Sequence, residues 1–184
     1  ANLRFGDKAV TFDNLVVRRE EGTGAGSFTY DYGKHEVRLR DVKSTLRPAD
    51  VIYWIEPKLF KVIAPYKFHG PPHLTANGVV QYRGGKNTHL DIAIDAPAGL
   101  DYFFLGKTLS FGKTRGDVLI TDDRVQLIGI EGQLFDGPGK GAADISVARQ
   151  AKSYSASIAV QGLGFPDTTE HHFKDKPRTE PTPE

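Results

Sequence analysis

Residues 26–42 read GSFTYDYGKHEVRLRDV, and their patterning decides the fold class. Phe28, Tyr30 and Tyr32 alternate with polar neighbours. After Tyr-Gly-Lys at 32–34, Val37 and Leu39 alternate with Arg38 and Arg40. Successive side chains of an extended strand point to opposite faces, so this is two strands joined by a polar turn, each with one apolar and one wet face. One-sided strands of this kind belong to antiparallel sheet.

The pattern recurs along the chain. In LDIAIDA, Leu90, Ile92 and Ile94 stand against Asp91 and Asp95, and YSASIAV sets out Tyr154, Ala156, Ile158 and Val160 in the same way. Turn signals separate the segments: Gly-Gly-Lys at 84–86, Asp-Asp at 122–123 and Asp-Gly-Pro-Gly at 136–139. About nine to eleven strands are expected. Gly26, Gly78 and Gly141 each open a similar unit, a glycine-led strand, a polar turn and a second alternating strand. This weak repeat suits a meander built hairpin by hairpin, and equally suits the chance recurrence of generic hairpins.

One segment departs from alternation. Between Arg47 and Tyr66, Val51, Ile52, Ile55, Leu59, Phe60 and Ile63 recur at helical spacing, with Pro48 placed for a first turn and Pro65 for a stop. Pro57 removes a backbone donor, so one or two short helices near residues 48–64 are expected. They would plug an end of the sheet or cover part of its apolar face. The reading is mainly β, with residues 1–165 as a single domain and 166–184 as a polar, proline-containing tail.

Composition narrows the function. Twenty-four Lys and Arg against 23 Asp and Glu give a net charge of +1, which makes no electrostatic case for nucleic acid. The chain has no cysteine, which removes disulfides, thiol catalysis and cysteine metal sites. No apolar run approaches the roughly 18–20 residues of a spanning helix, and ANLRFGDKAV lacks the layout of a signal peptide. A soluble chain is expected, and the ending KDKPRTEPTPE fits a piece cut from a longer, anchored protein.

Several chemical motifs fail on inspection. Gly-Lys-Thr occurs at 106–108 and 112–114, but a phosphate-binding P-loop needs a glycine five positions earlier, where Asp101 and Lys107 stand. The following RGDVLITDDRV is strand-like, so no nucleotide is expected. His69 and His73 have the spacing of a helical metal pair, yet Gly70-Pro71-Pro72 lies between them. No G-x-S-x-G elbow is present, and Asp122-Asp123 sits at a turn where Asp is favoured for backbone reasons. No catalytic residue, metal or cofactor is expected. The aromatics Tyr102, Phe103, Phe104, Trp54, Phe60 and Tyr66 read either as a sugar-stacking or lipid-facing surface or as core packing. Lys107, Lys113 and Arg115 beside them suit anionic headgroups or a solvated turn.

The run from Thr108 to Ser146, TLSFGKTRGDVLITDDRVQLIGIEGQLFDGPGKGAADIS, resembles the repeating unit of the AsmA-like family of bacterial envelope proteins. The matching pieces are Val118 to Ile120, Val125 to Ile130, Leu134-Phe135-Asp136-Gly137 and Gly141 to Val147. TANGVVQYRGG and IAVQGLGFPD look like the family's glycine-led strands and inter-repeat joint, which extends the resemblance over residues 8–167. The resemblance implies a long, curved antiparallel sheet with an apolar concave face. In the wider superfamily, which includes TamB and the bridge-like lipid-transfer proteins, such grooves are associated with phospholipid acyl chains. It also implies a periplasmic location in a diderm bacterium and an inner-membrane anchor, which here would have to lie outside this chain. The sheet is short for the family, and the helical insertion has no counterpart in the pattern.

Such a function needs no catalytic residue. The candidate groove lining is Val37, Leu39, Leu90, Ile92, Ile94, Val118, Ile120, Leu127, Ile145, Val147, Ile158 and Val160. The expected partner is phospholipid, with membrane contact through other parts of the parent protein. The alternative is a structural β domain in which the same residues form a sealed core and the surface binds protein or glycan.

Overall fold

The computed structural model describes residues 1–49, 64–83, 86–104, 106–134, 137–146 and 154–160. Alternating segments become strands: β1 (Asn2–Phe5), β2 (Ala9–Arg19), β3 (Gly22–Asp31), β4 (Glu36–Ser44), β5 (Tyr66–Phe68), β6 (His73–Gln81), β7 (His89–Ala96), β8 (Leu100–Phe104), β9 (Lys107–Thr121), β10 (Arg124–Leu134), β11 (Gly137–Ser146) and β12 (Tyr154–Val160). All twelve lie in one sheet, ordered β1-β2-β3-β4-β6-β7-β9-β10-β11-β12, with β8 paired to β9 off this path and β5 paired to β8. Every pairing is antiparallel. The chain is therefore the expected mainly β meander.

The strand number exceeds the sequence expectation because two long arms are broken. β5 leads into β6 through His69–Pro72, and β7 leads into β8 through Pro97–Gly99. The two breaks face each other: the His69 amide donates to the Gly99 carbonyl at 3.1 Å, and the Phe103 amide donates to the Pro65 carbonyl at 2.9 Å. Gly99 has φ +86°, and a β-carbon there would meet the Phe111 carbonyl oxygen. Only glycine fits this bend without strain. Tyr32, placed by alternation on the apolar face, lies instead in the β3–β4 turn, where its hydroxyl donates to the Asp7 carbonyl at 2.6 Å. Pro48 and Ala49 carry helical backbone, as expected for a first turn. The rest of the expected helices, and the tail at 166–184, lie outside the described residues.

Register divides the sheet into two unlike faces. One row of directly opposed residues crosses all ten strands of the main path: Leu3, Phe12, Phe28, Leu39, Gly78, Leu90, Ile120, Val125, Ile145 and Tyr154. Nothing in that row is charged. Its middle forms the core: Leu90, Ile120 and Val125 are buried together with Val80 of the neighbouring row, and Leu39, Ala76, Ile92, Val118 and Ile145 pack against them. Toward β1, Phe12 and Phe28 stack at 4.4 Å between ring centroids, and Leu3, Phe5 and Tyr30 are exposed.

Bulges interrupt the pairing without breaking the two-faced order. Asn14 and Asp41, both with φ +51°, are the extra residues between Phe12 and Leu15 and between Leu39 and Val42. They increase twist and bend the strand locally. Facing them are Ser27 and Asn77, which accept from the Asn14 and Asp41 amides, and next to these stand Gly26 (φ +153°) and Gly78 (φ +135°), the first residues of two repeat units. A β-carbon on Gly26 would lie 2.7 Å from the Val42 Cα, and one on Gly78 would collide with the His89 carbonyl oxygen. The repeat glycines thus mark places where neighbouring backbone comes too close for any side chain. Gly141 lacks the positive φ, so the third unit shares the hairpin but not this device.

Gly78→Ala is accordingly expected to lower stability by about 1–3 kcal/mol, through strain at positive φ together with the backbone collision. Gly24→Ala, whose new β-carbon would sit 3.6 Å from Leu46 Cδ1, is expected to cost less than about 0.5 kcal/mol. Urea unfolding of the two variants checks this, and equal losses would contradict the close-approach account.

Candidate functional site

The sequence-derived candidates fall on the apolar face. Leu39, Leu90, Ile120 and Ile145 belong to the ten-strand row. Ile92, Val118 and Leu127 form the next row, flanked by Ala76 and Ala143. Ile94 stands between Leu74 and Gly116, and Val37 between Tyr30 and Val80. Leu90 and Ile120 are 5% and 4% exposed, and the other seven are half-buried. Ile158 and Val160 pair through their backbones with Gly141 and Gly139; their side chains, and all of Val147, lie outside the described residues. Gly116 leaves a slot in this face that Ile130 occupies, since a β-carbon there would strike Ile130 Cδ1. Phe12, Phe28, Val80 and Val125 complete the surface although they were not among the candidates. Their signal was available in the alternation of TFDN, SFTY, GVVQ and RVQL, but cross-strand register was needed to assign the face.

The opposite face is polar and ordered. His73, Asp95, Arg115, Glu131 and Lys140 oppose one another on five successive strands, alternating basic with acidic. Arg115 and Lys140 each reach Glu131 at 2.8 Å, from opposite sides. The Lys140 hydrogen bond, followed by that of Arg115, holds the Glu131 carboxyl down to about 2. Opposite charges directly across a sheet stabilise the pairing, whereas a one-residue slip would bring these groups to the apolar face.

Beyond the bend, Asp101 lies at the centre of a second polar group. Ser110 Oγ donates to Asp101 Oδ1 at 2.7 Å, and His69 Nε2 lies 2.9 Å from the same oxygen. The Ser110 bond and then the His69 bond hold the Asp101 carboxyl below its ordinary value. Serine, histidine and aspartate are all present, but the carboxylate sits between the other two. The serine proton already goes to that carboxylate rather than to an imidazole, so the arrangement lacks the nucleophile-to-base contact of a hydrolytic triad. His73 is near a different carboxylate, Asp95, at 3.8 Å, and no helix joins it to His69.

Both Gly-Lys-Thr tripeptides belong to the β8–β9 hairpin. Gly106 (φ +79°) forms its turn, and Gly112 lies within β9, where a β-carbon would press on Gln133. Thr114 is buried and donates back to the Gly112 carbonyl at 2.8 Å. Neither tripeptide opens a helix. Of the aromatic group, Tyr66 and Tyr102 stack at 4.6 Å, and burial pushes the Tyr66 hydroxyl well above its usual range. Phe103 is exposed on the other face, while Trp54 and Phe60 lie outside the described residues.

What the arrangement offers is a long apolar surface with a charged back. Comparison of the chain with protein-family models, with curated proteins and with solved structures finds no match.

The Glu131 cluster has a definite acid signature. A carboxyl held lower in the folded than in the unfolded state contributes stability above the unfolded value of about 4.3, and loses it as pH falls toward 2. The gap in urea midpoint between the wild type and Glu131→Gln is expected to be fully open at pH 6, to narrow below pH 4.5 and to close near pH 2. It should also shrink in 1 M salt, because these groups are exposed. A gap independent of pH would show that the cluster does not act through charge.

Proposed function

We propose that this chain is a non-enzymatic β module of a cell-envelope protein, whose apolar sheet face shields phospholipid acyl chains during lipid transport or outer-membrane assembly. The observation that carries the reading is the uncharged row running across ten strands, backed by a charge-alternating row on the other face. An apolar surface of that extent requires a cover. With strands about 4.8 Å apart the row runs on the order of 40 Å. An acyl chain reaching half of a bilayer core, about 15 Å, crosses only three or so of them. Each buried methylene contributes about 0.8 kcal/mol, so affinity needs no specific polar contact and tolerates varied lipids. The sequence resemblance to AsmA-like repeats supports a periplasmic setting, with the membrane anchor supplied by other parts of the parent protein.

A second reading rests on the burial of Val80, Leu90, Ile120 and Val125, which are 2–5% exposed. On that reading the centre of the face is a closed core, and the domain is a structural unit that binds protein or glycan elsewhere.

Native mass spectrometry of the chain extracted under mild conditions separates the two. Co-purifying phospholipid is expected, together with its loss in Ile92→Asp, a half-buried position on the second apolar row. The variant should retain the far-ultraviolet spectrum of the wild type. A lipid-free wild type, or global unfolding of Ile92→Asp, would favour the closed core and overturn the proposal.

A further inference from the structure

The polar face holds a cavity of about 450 Å³ over β1 to β6, far from the charged row around Glu131. Its position follows from the bulges: Asn14 and Asp41 bend β2 and β4 on either side of Ser27, which is buried at the cavity floor. Three guanidinium groups, those of Arg4, Arg38 and Arg40, line it. They are held in place by carboxylates rather than left to wander. Arg4 reaches Asp13 Oδ2 at 2.6 Å and Arg40 reaches Asp13 Oδ1 at 3.1 Å, so one carboxylate spreads its two oxygens between two forks. Arg38 is anchored at 2.6 Å on Glu36, a carboxylate that is almost wholly buried and also accepts from Gln81 Nε2 at 3.2 Å.

The geometry points to a binding site for a phosphate-bearing ligand in this cavity, distinct from the apolar face. Two arginines share the single carboxylate of Asp13, which leaves one positive charge in excess. Asp13 is only 15% exposed, so its charge is spent on the arginines. Each of Arg4 and Arg40 contacts it through one terminal nitrogen, which leaves N–H donors for a second acceptor. The floor supplies further donors. Ser27 Oγ accepts from the Asn14 amide at 3.1 Å, so its proton remains to be given. Thr11 and Thr29 hydroxyls bond to each other at 3.0 Å, and one of the two necessarily keeps a proton. Planar guanidinium forks above hydroxyl donors match the several acceptor oxygens of a phosphoryl group. The volume exceeds that of the bare ion and falls within the range of sites for small organic ligands. The site therefore suits a phosphoester with a body of modest size, either a free metabolite or a lipid headgroup.

The test titrates the folded chain with sodium glycerol 1-phosphate by calorimetry at constant ionic strength. In parallel, the chain is sedimented with phosphatidylcholine vesicles that do or do not contain phosphatidylglycerol. Saturable binding is expected in at least one arm, weakened at least tenfold in Arg4→Ala/Arg40→Ala. Lys67→Ala/Lys86→Ala, which removes the same charge from β5 and from the exposed segment before β7, should leave it unchanged. Binding in the calorimeter identifies a free phosphoester, and binding to the anionic vesicles alone identifies a headgroup. Arg40→Lys keeps the charge and the fold while removing the fork, and should still weaken binding several-fold. No binding in either arm, or equal loss in the arginine and lysine variants, would overturn the site.

Discussion

Register across the sheet is the constraint on which everything else depends. Side chains alternate with a period of two, so a slip of one residue anywhere between β1 and β12 would carry Leu90, Ile120 or Ile145 to the polar face and Asp91, Arg115 or Asp144 to the apolar one. The ten-strand row from Leu3 to Tyr154 shows that no such slip occurs on the main path. The bulges at Asn14 and Asp41 insert residues locally, but each is followed by a return to the same order of faces. The charged row through Glu131 reinforces that choice from behind, because its attraction exists only in one register.

The same constraint accounts for the glycines. Where the row passes Gly78, the backbone of β7 comes so near that no β-carbon fits; at Gly116, two rows further on, the missing side chain is replaced by Ile130 from the next strand. The bends that give the polar face its cavity arise at Asn14 and Asp41, the residues that keep the faces in order. A long one-sided sheet thus carries two separate features, an apolar face and a basic hollow behind it, and each of the two proposals rests on one of them.

Much of the fold was legible because alternation is a local signal. LDIAIDA, YSASIAV and the hairpin at 26–42 each announce a strand and its apolar face within a few residues. The meander followed from short polar turns such as Asp122-Asp123. What was not legible depends on partners distant in sequence. The bend shared by His69–Pro72 and Pro97–Gly99 exists only because β5 and β8 meet, and three-residue β5 is too short to show alternation. The Glu131 group combines residues from three strands, and the arginine cavity combines Arg4 with Arg40 through Asp13. None of these has a local spacing that could announce it. Of the apolar surface, the sequence named Leu39, Leu90, Ile120 and Ile145 correctly as facing together, but Phe12, Phe28, Val80 and Val125 required knowledge of which strand lies beside which.

The central proposal is that acyl chains meet the apolar face of this sheet and not its back, and adjacent residues of β10 provide the sharpest comparison. Leu127 lies on the apolar face, and Gln126 lies on the polar face, where it donates to Asp144 Oδ2 at 3.2 Å. A photo-crosslinking residue placed at each position in turn, in protein incubated with vesicles of phosphatidylethanolamine and phosphatidylglycerol, reads the contact directly by mass. Phospholipid adducts at position 127 and none at 126 are expected. Equal labelling at the two positions, or no adduct at 127 in a folded protein, would contradict the account.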